Sequence, residues 1–239
     1  MLNAYFEKVY KQDQSTFFAS ITEDLKAQNR RFVVTANPET LMIGEKNAEF
    51  DAVLLKESTT IVPDGIGVVK GAEMLGYEMH GRVTGVELCA HLFCAAHELG
   101  KSVYLYGAKQ EVLSALCERL EREFPGAVVL GAKNGYDFDS DEVFEDICEK
   151  RPDVVLVALG IPRQELLIDR YLERFDKGIF VGVGGSFDVL SGKVSRAPKL
   201  FVKLNLEWLW RIVRDPKRIR RFYESNVKYL AKLRALKKD

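Results

Sequence analysis

Short runs of β-branched and aliphatic residues alternate along most of the chain with longer segments whose apolar residues recur every three or four positions. The first pattern predicts buried strands and the second amphipathic helices. Strands are expected at 31–36, 59–62, 102–106, 127–131, 153–158 and 178–183. Helices are expected at 14–28, from Pro38 to about Lys56, at 66–75, from the Thr84 cap to Gly100, and at 109–124, 140–150 and 162–175. Alternation on this scale means βαβ units, a mostly parallel sheet and helices on both faces, a Rossmann-like α/β fold. Residues 76–83 and 132–138 read as loops and 185–198 as a connector. Residues 199–237 read as two basic amphipathic helices broken near Asp215-Pro216. The expected division is a core at 1–195 and a helical appendage at 196–239.

One corner of this pattern stands out. Strand 59–62 runs into Pro63, which cannot donate to a sheet ladder, so pairing is expected to stop there. Gly65 and Gly67 permit a sharp turn and a close approach to the backbone. Asp64 therefore sits between the carboxyl end of a strand and the start of a helix, where open α/β sheets place ligands. It is either a helix N-cap or a catalytic base.

Composition narrows the picture. Apolar residues make up 47% of the 239, enough for a sizeable core. No apolar run is long enough to cross a membrane, and no signal peptide is expected. Cys89, Cys94, Cys117 and Cys148 lack metal or redox spacing and read as small buried hydrophobes in a reducing cytoplasm. The net charge of zero hides a division. Residues 196–239 carry 14 Lys+Arg against 4 Asp+Glu, a net +10, balanced by −10 on the rest. Such a tail points to an anionic partner: phosphate groups, an anionic membrane surface or nucleic acid. No nucleic-acid-binding motif accompanies it. Trp208, Trp210, Phe222, Tyr223 and Tyr229 interleave with the basic residues, as at a membrane interface. Arg211, Arg214, Arg218 and Arg221 share one stripe if the helix survives Pro216, and guanidinium groups grip diphosphate. The alternative is a solvated helix packed on the core through its aromatics.

The carboxyl ends of the expected strands bring Thr35, Asn37, Asp64, Gly107, Ala108, Asn134, Gly160, Gln164, Gly184 and Gly185 to one rim. Glycine N–H groups suit phosphates, and amide or hydroxyl side chains suit ribose and sugar hydroxyls. Glycines also end strands in α/β folds without ligands. The stretch from Gly185 to Val194 has the wrong spacing for a P-loop, and Gly184-Gly-Ser-Phe-Asp188 lacks the last glycine of a nucleophile elbow. Glu87, His91, Cys94 and Glu98 share a helix face, but no second segment completes a metal shell.

The motifs Thr35-Ala-Asn-Pro-Glu39, Val62-Pro-Asp-Gly-Ile-Gly67, Arg82-Val-Thr-Gly85, Gly107-Ala-Lys109 and Asn134-Gly-Tyr136 occur in that order. Gly160-Ile-Pro-Arg-Gln-Glu165, Gly182-Val-Gly-Gly-Ser-Phe-Asp188, Gly192-Lys-Val-Ser-Arg-Ala-Pro198 and Leu206-Glu-Trp-Leu-Trp210 follow. Together, over residues 31–222, they resemble the WecG/TagA/CpsF glycosyltransferases. The resemblance implies an inverting transferase that needs no metal and no cofactor. It implies UDP-N-acetylmannosamine as donor and N-acetylglucosamine on undecaprenyl diphosphate as acceptor, at the cytoplasmic membrane face, in wall teichoic acid linkage-unit synthesis. Asp64 matches the family's proposed general base. Thr35, Asn37 and Gln164 match its polar pocket, and Arg211, Arg218 and Arg221 match tail arginines that reach the diphosphate. His80-Gly81 stands where the family usually has an acidic residue, and Glu87 replaces a common Asp.

Two alternatives remain at this level. A related transferase would use another UDP-sugar, such as a ManNAc-uronic acid or glucose, for exopolysaccharide. A non-enzymatic module would bind a nucleotide and use the basic tail on membrane or nucleic acid. Self-association is a further expectation, through an apolar face left by a mobile tail.

Overall fold

A computed structural model of the chain describes residues 2–204, 206–214 and 218–237; the side chains of Lys199, Arg211, Arg214, Arg218, Arg220, Arg221, Phe222 and Glu224 lie outside the described set. Six strands, β1 (Arg30–Ala36), β2 (Thr59–Pro63), β3 (Ser102–Gly107), β4 (Val128–Lys133), β5 (Val154–Ala158) and β6 (Gly178–Gly182), form one sheet in the order β2-β1-β6-β5-β3-β4. Every neighbouring pair is parallel. The expectation of a mostly parallel sheet is met in full.

Strand alternation builds two cores. Phe32, Val34, Ile61, Tyr104, Tyr106, Val155, Val157 and Phe180 point to one face. Val33, Val62, Val103, Leu105, Leu156, Ile179 and Val181 point to the other. The first face is covered by α1 (Leu2–Lys8), α3 (Pro38–Gly44), α4 (Ala48–Leu55), α5 (Ile66–Met74), α8 (Ser140–Lys150), α9 (Arg163–Leu172) and the last helix, α13 (Arg218–Leu236). The second is covered by α2 (Gln14–Ala27), α6 (Gly85–Leu99), α7 (Gln110–Glu123) and α10 (Ser186–Leu190).

Caps explain several boundaries. Thr84 accepts from the Glu87 N–H and starts α6, and Gly100 ends it in the left-handed region, as the sequence predicts. The single helix expected from Pro38 to Lys56 is two helices. The chain turns after Gly44, and Asn47 caps a fresh start by accepting from the Phe50 N–H. α1 was not expected; it buries Leu2, Tyr5 and Phe6. α10 forms inside the predicted connector. β4 starts and ends later than its predicted span, so Ala132 and Lys133 belong to the strand. Pro63 stays in register opposite Ala36, because β2 is an edge strand and its missing N–H has no partner strand to serve. Cys94 is exposed, unlike the buried thiol expected, while Cys89 is buried.

Among the described residues the tail holds three helices, not two: α11 (Lys199–Lys203), α12 (Glu207–Arg214) and α13. The predicted break at Asp215-Pro216 lies outside the described residues. The second half of α13 is part of the core, with Tyr229 and Leu233 fully buried. Tyr229 donates to the Gly67 carbonyl at 3.1 Å. A Cβ at Gly71 would lie 2.1 Å from the Tyr229 hydroxyl, so this glycine lets α13 seat on α5. Removing the chain from about Ala197 therefore strips part of the main core. Another face of α13 is different: Ile219, Tyr223, Val227 and Leu230 form an exposed apolar stripe at helical spacing.

Candidate active site

Asp64 leaves the end of β2 with its N–H on the Ala36 carbonyl at 2.8 Å. Gly65, at φ +106°, makes the turn into α5 and occupies the cap position, and no side chain caps that helix. The N-cap reading of Asp64 is thus overturned for the helix it precedes. Its Oδ2 instead takes a long, 3.4 Å hydrogen bond from the Gly85 N–H, the first residue of α6. The loop is held there because Val83 N–H donates to the Pro63 carbonyl. Gly67 has the second role foreseen for these glycines: a Cβ would lie 2.6 Å from Pro38.

Around this acid the rim closes tightly. A Cβ at Gly85 would lie 2.9 Å from Ser186 Oγ, 3.6 Å from Thr35 Oγ1 and 3.7 Å from Asp64 Oδ2. Residues from β1, β2, the start of α6 and the start of α10 therefore meet at one point. Thr35 donates to the Gly182 carbonyl at 3.2 Å. Asn37 commits its oxygen to a capping box with Thr40, and among the described residues its amide nitrogen has no partner. Asp64 is half-buried, and its charge adds to the burial that pushes the Cys89 thiol above its ordinary range.

A second group lies towards the β4 edge. Gly107, at φ +113°, packs so closely on Ala158 that a Cβ would lie 2.4 Å from its carbonyl oxygen. Ala108 adopts φ +58° and donates to that same carbonyl. Gly135 N–H donates to the Ala108 carbonyl. Asn134 is turned inward: its oxygen accepts from the Tyr136 and Asp137 N–H groups, and its nitrogen donates to Gln110 and Asp137. These bonds make it a builder of the loop. What the loop presents is Tyr136, 74% exposed beside the glycines. Sequence reading passed over this ring, although Asn134-Gly-Tyr136 carried the signal.

Gln164 joins the two groups and is likewise buried. Its Oε1 accepts from Gly160 N–H at 3.0 Å and Gly184 N–H at 3.2 Å. Its Nε2 donates to Glu165 Oε1 at 2.7 Å. The expected pocket amide is a brace between the loops after β5 and β6. Gly160 and Gly184 have positive φ and open space where a side chain would stand. Gly185 precedes α10 at ordinary φ. Glu165 and Ser186, both buried, were not singled out from the sequence.

The tail reaches this region through charge. Glu207 on α12 accepts from Arg82 at 3.1 Å and from Arg196 at 3.3 Å. Arg196 also donates to Glu87 at 2.7 Å, and Glu87 accepts from Thr84 and Gln14. Burial alone would raise the Glu87 pKa, but the bonds from Arg196, Thr84 and Gln14 outweigh it and hold the carboxyl below its ordinary range. This chain of four charged groups ties α12 to the first turn of α6, two residues from the Gly85 N–H that meets Asp64. The side chains of Arg211, Arg218 and Arg221 lie outside the described residues. Their backbones fall on α12 and α13, separated by 215–217.

His91, a candidate in the discarded metal pattern, stacks on Phe18 and bonds to the Phe18 carbonyl and Thr22 hydroxyl. Among the described residues no helix is long and apolar enough to cross a membrane.

Comparison with known proteins adds an independent line. The glycosyl transferase WecG/TagA/CpsF family profile matches residues 6–239. A Bacillus spizizenii protein named N-acetylglucosaminyldiphosphoundecaprenol N-acetyl-beta-D-mannosaminyltransferase is 40% identical over 208 residues, 87% of this chain and 80% of the relative. Proteins of the same name are 38% identical in Bacillus subtilis, over 79% of this chain and 73% of the relative. In Staphylococcus aureus the identity is 35%, over 86% of this chain and 79% of the relative.

Proposed function

The chain belongs to the WecG/TagA/CpsF family of glycosyltransferases, and on that premise we propose that it moves N-acetylmannosamine from UDP-N-acetylmannosamine to N-acetylglucosamine on undecaprenyl diphosphate. The product belongs to the linkage unit of wall teichoic acid. The observation that carries this reading is the meeting of Asp64, Thr35, Gly85 and Ser186 at one end of a parallel sheet whose other half offers open glycines.

The chemistry follows from the placement. An acceptor hydroxyl oxygen attacks the anomeric carbon while Asp64 takes its proton. The bond from that carbon to the diphosphate oxygen breaks on the opposite side, its electron pair leaves with UDP, and the anomeric configuration inverts. The charge growing on UDP needs cations. The tail supplies Arg211, Arg218 and Arg221 in this role without a metal. Gly160, Gly184 and Gly185 leave backbone room for the diphosphate, and Tyr136 offers a face on which the base stacks.

The acceptor is anchored in a bilayer. The stripe Ile219, Tyr223, Val227 and Leu230, with the surrounding lysines and arginines, suits the inner surface of an anionic membrane. Docking there would settle α12 and α13 and dry the site.

A turnover assay with a panel of UDP-sugars and a GlcNAc-diphospho-lipid acceptor, with and without chelator, tests the reading. Transfer from UDP-N-acetylmannosamine, unchanged by chelator, is expected. Preference for a UDP-glucose or UDP-uronic acid donor would replace the substrate assignment, and loss with chelator would replace the arginine mechanism.

A further inference from the structure

Glu165 is a buried acid with no assigned work. It lies on α9, 1% exposed, directly after the brace residue. One oxygen accepts from Gln164 Nε2 at 2.7 Å. The other, Oε2, has no hydrogen-bond partner among the described residues. Among the described residues no charged neighbour offsets the burial, which pushes its carboxyl up to about 7. A proton on Oε2 leaves Oε1 free to accept. The glycine at position 182 makes room for the pair: a Cβ there would lie 2.6 Å from Gln164 Nε2 and 2.7 Å from Glu165 Oε1.

The Gln164 amide has two ends and two different surroundings. Two backbone donors, from Gly160 and Gly184, converge on one end, so that end must be oxygen. The nitrogen then needs an acceptor in a region closed to water. Glu165 is the acceptor that the described contacts provide.

We propose that Glu165 is a positioning residue: by accepting from Gln164 it fixes the amide whose oxygen clamps Gly160 to Gly184, and so sets the gap between the glycine half and the acid half of the donor pocket. For its effect on KM this rests on the donor-pocket reading above; for its effect on the two glycine amides it does not.

The test uses hydrogen exchange at the Gly160 and Gly184 N–H groups of the full chain, read by NMR, beside steady-state kinetics. Glu165→Met removes the acceptor at similar size. Both amides should exchange about tenfold faster or more, while strand amides of β3 and β5 keep their protection. KM for the UDP-sugar should rise about tenfold with kcat changed less than about threefold. Glu165→Gln, which still presents an oxygen, should keep both amides and KM near wild type. A folded Glu165→Met with both amides as slow as wild type would overturn the proposal. Faster exchange with unchanged KM would support the clamp and overturn its place in the donor pocket. If Glu165→Met does not fold, Glu165→Gln decides: protected amides support the clamp, and exposed amides in a folded protein overturn it.

Discussion

At the rim, the candidate site positions are fixed by uncharged contacts inside the core. Thr35 bonds to the Gly182 carbonyl, Gln164 braces two loops, and Gly107 lies against Ala158 with no room for a methyl group. The tail is attached in two other ways. Tyr229 and Leu233 anchor the far half of α13 in the core, and α12 is tied down by Arg82, Glu207, Arg196 and Glu87. Hydrophobic and hydrogen-bonded contacts hold geometry at any salt, whereas partly exposed ion pairs weaken as salt screens them. The difference teaches that the rim is built in advance of the tail. The arginines proposed to meet the diphosphate are carried on a segment whose near end is joined electrostatically and whose far end is not free.

The largest break should come at the rim. Gly107→Ala forces a side chain into φ +113° and to within 2.4 Å of a carbonyl oxygen. It should cost about 3–5 kcal/mol, read as a lower denaturation midpoint. Next is the buried acid. A carboxyl whose folded pKa is about 7 binds its proton more readily folded than unfolded. Its contribution to stability is thus fully present below the ordinary carboxylate pKa and is lost as pH rises through about 7. Denaturation midpoints between pH 5 and 8 should show a fall of about 3 kcal/mol from this group, absent in Glu165→Gln.

On the tail side, Glu207→Gln removes the centre of the four-group chain while sparing the core. It should cost about 1–3 kcal/mol. Turnover should fall several-fold, and added salt should mimic the change in wild type and not in the variant. Equal salt dependence in both would dissolve the contrast between the two regions. Tyr136→Ala should have the smallest effect, a KM for the UDP-sugar raised by about fivefold, or about 1 kcal/mol, with stability unchanged.

Much of this was legible beforehand for identifiable reasons. Short continuous apolar strands, the Thr84 cap and Gly100 state their structure locally, and Asp64 is placed by the strand end and the glycine after it. What was not legible is direction and partnership. Asn134 and Gln164 sit at the expected rim, yet both are buried. The loop that carries Asn134 has no periodicity to say which way its side chain faces, and Gln164, in the first turn of α9, is turned by the two loop N–H groups that converge on its oxygen. Asn47 and Gly44 did carry the signal that splits α3 from α4, but continuous apolar spacing masked it. α1 has buried residues at helical spacing, but no acidic residue marks its first turn. Glu165 was overlooked because an acid in a helix ordinarily reads as solvated.

The central claim is that Asp64 removes the acceptor proton. Asp64→Asn keeps the shape and removes the base. Isothermal binding of the UDP-sugar alongside turnover separates the two functions. The account predicts a loss of turnover of about a hundredfold or more with the donor Kd within about threefold of wild type. Turnover within about twofold of wild type would contradict it.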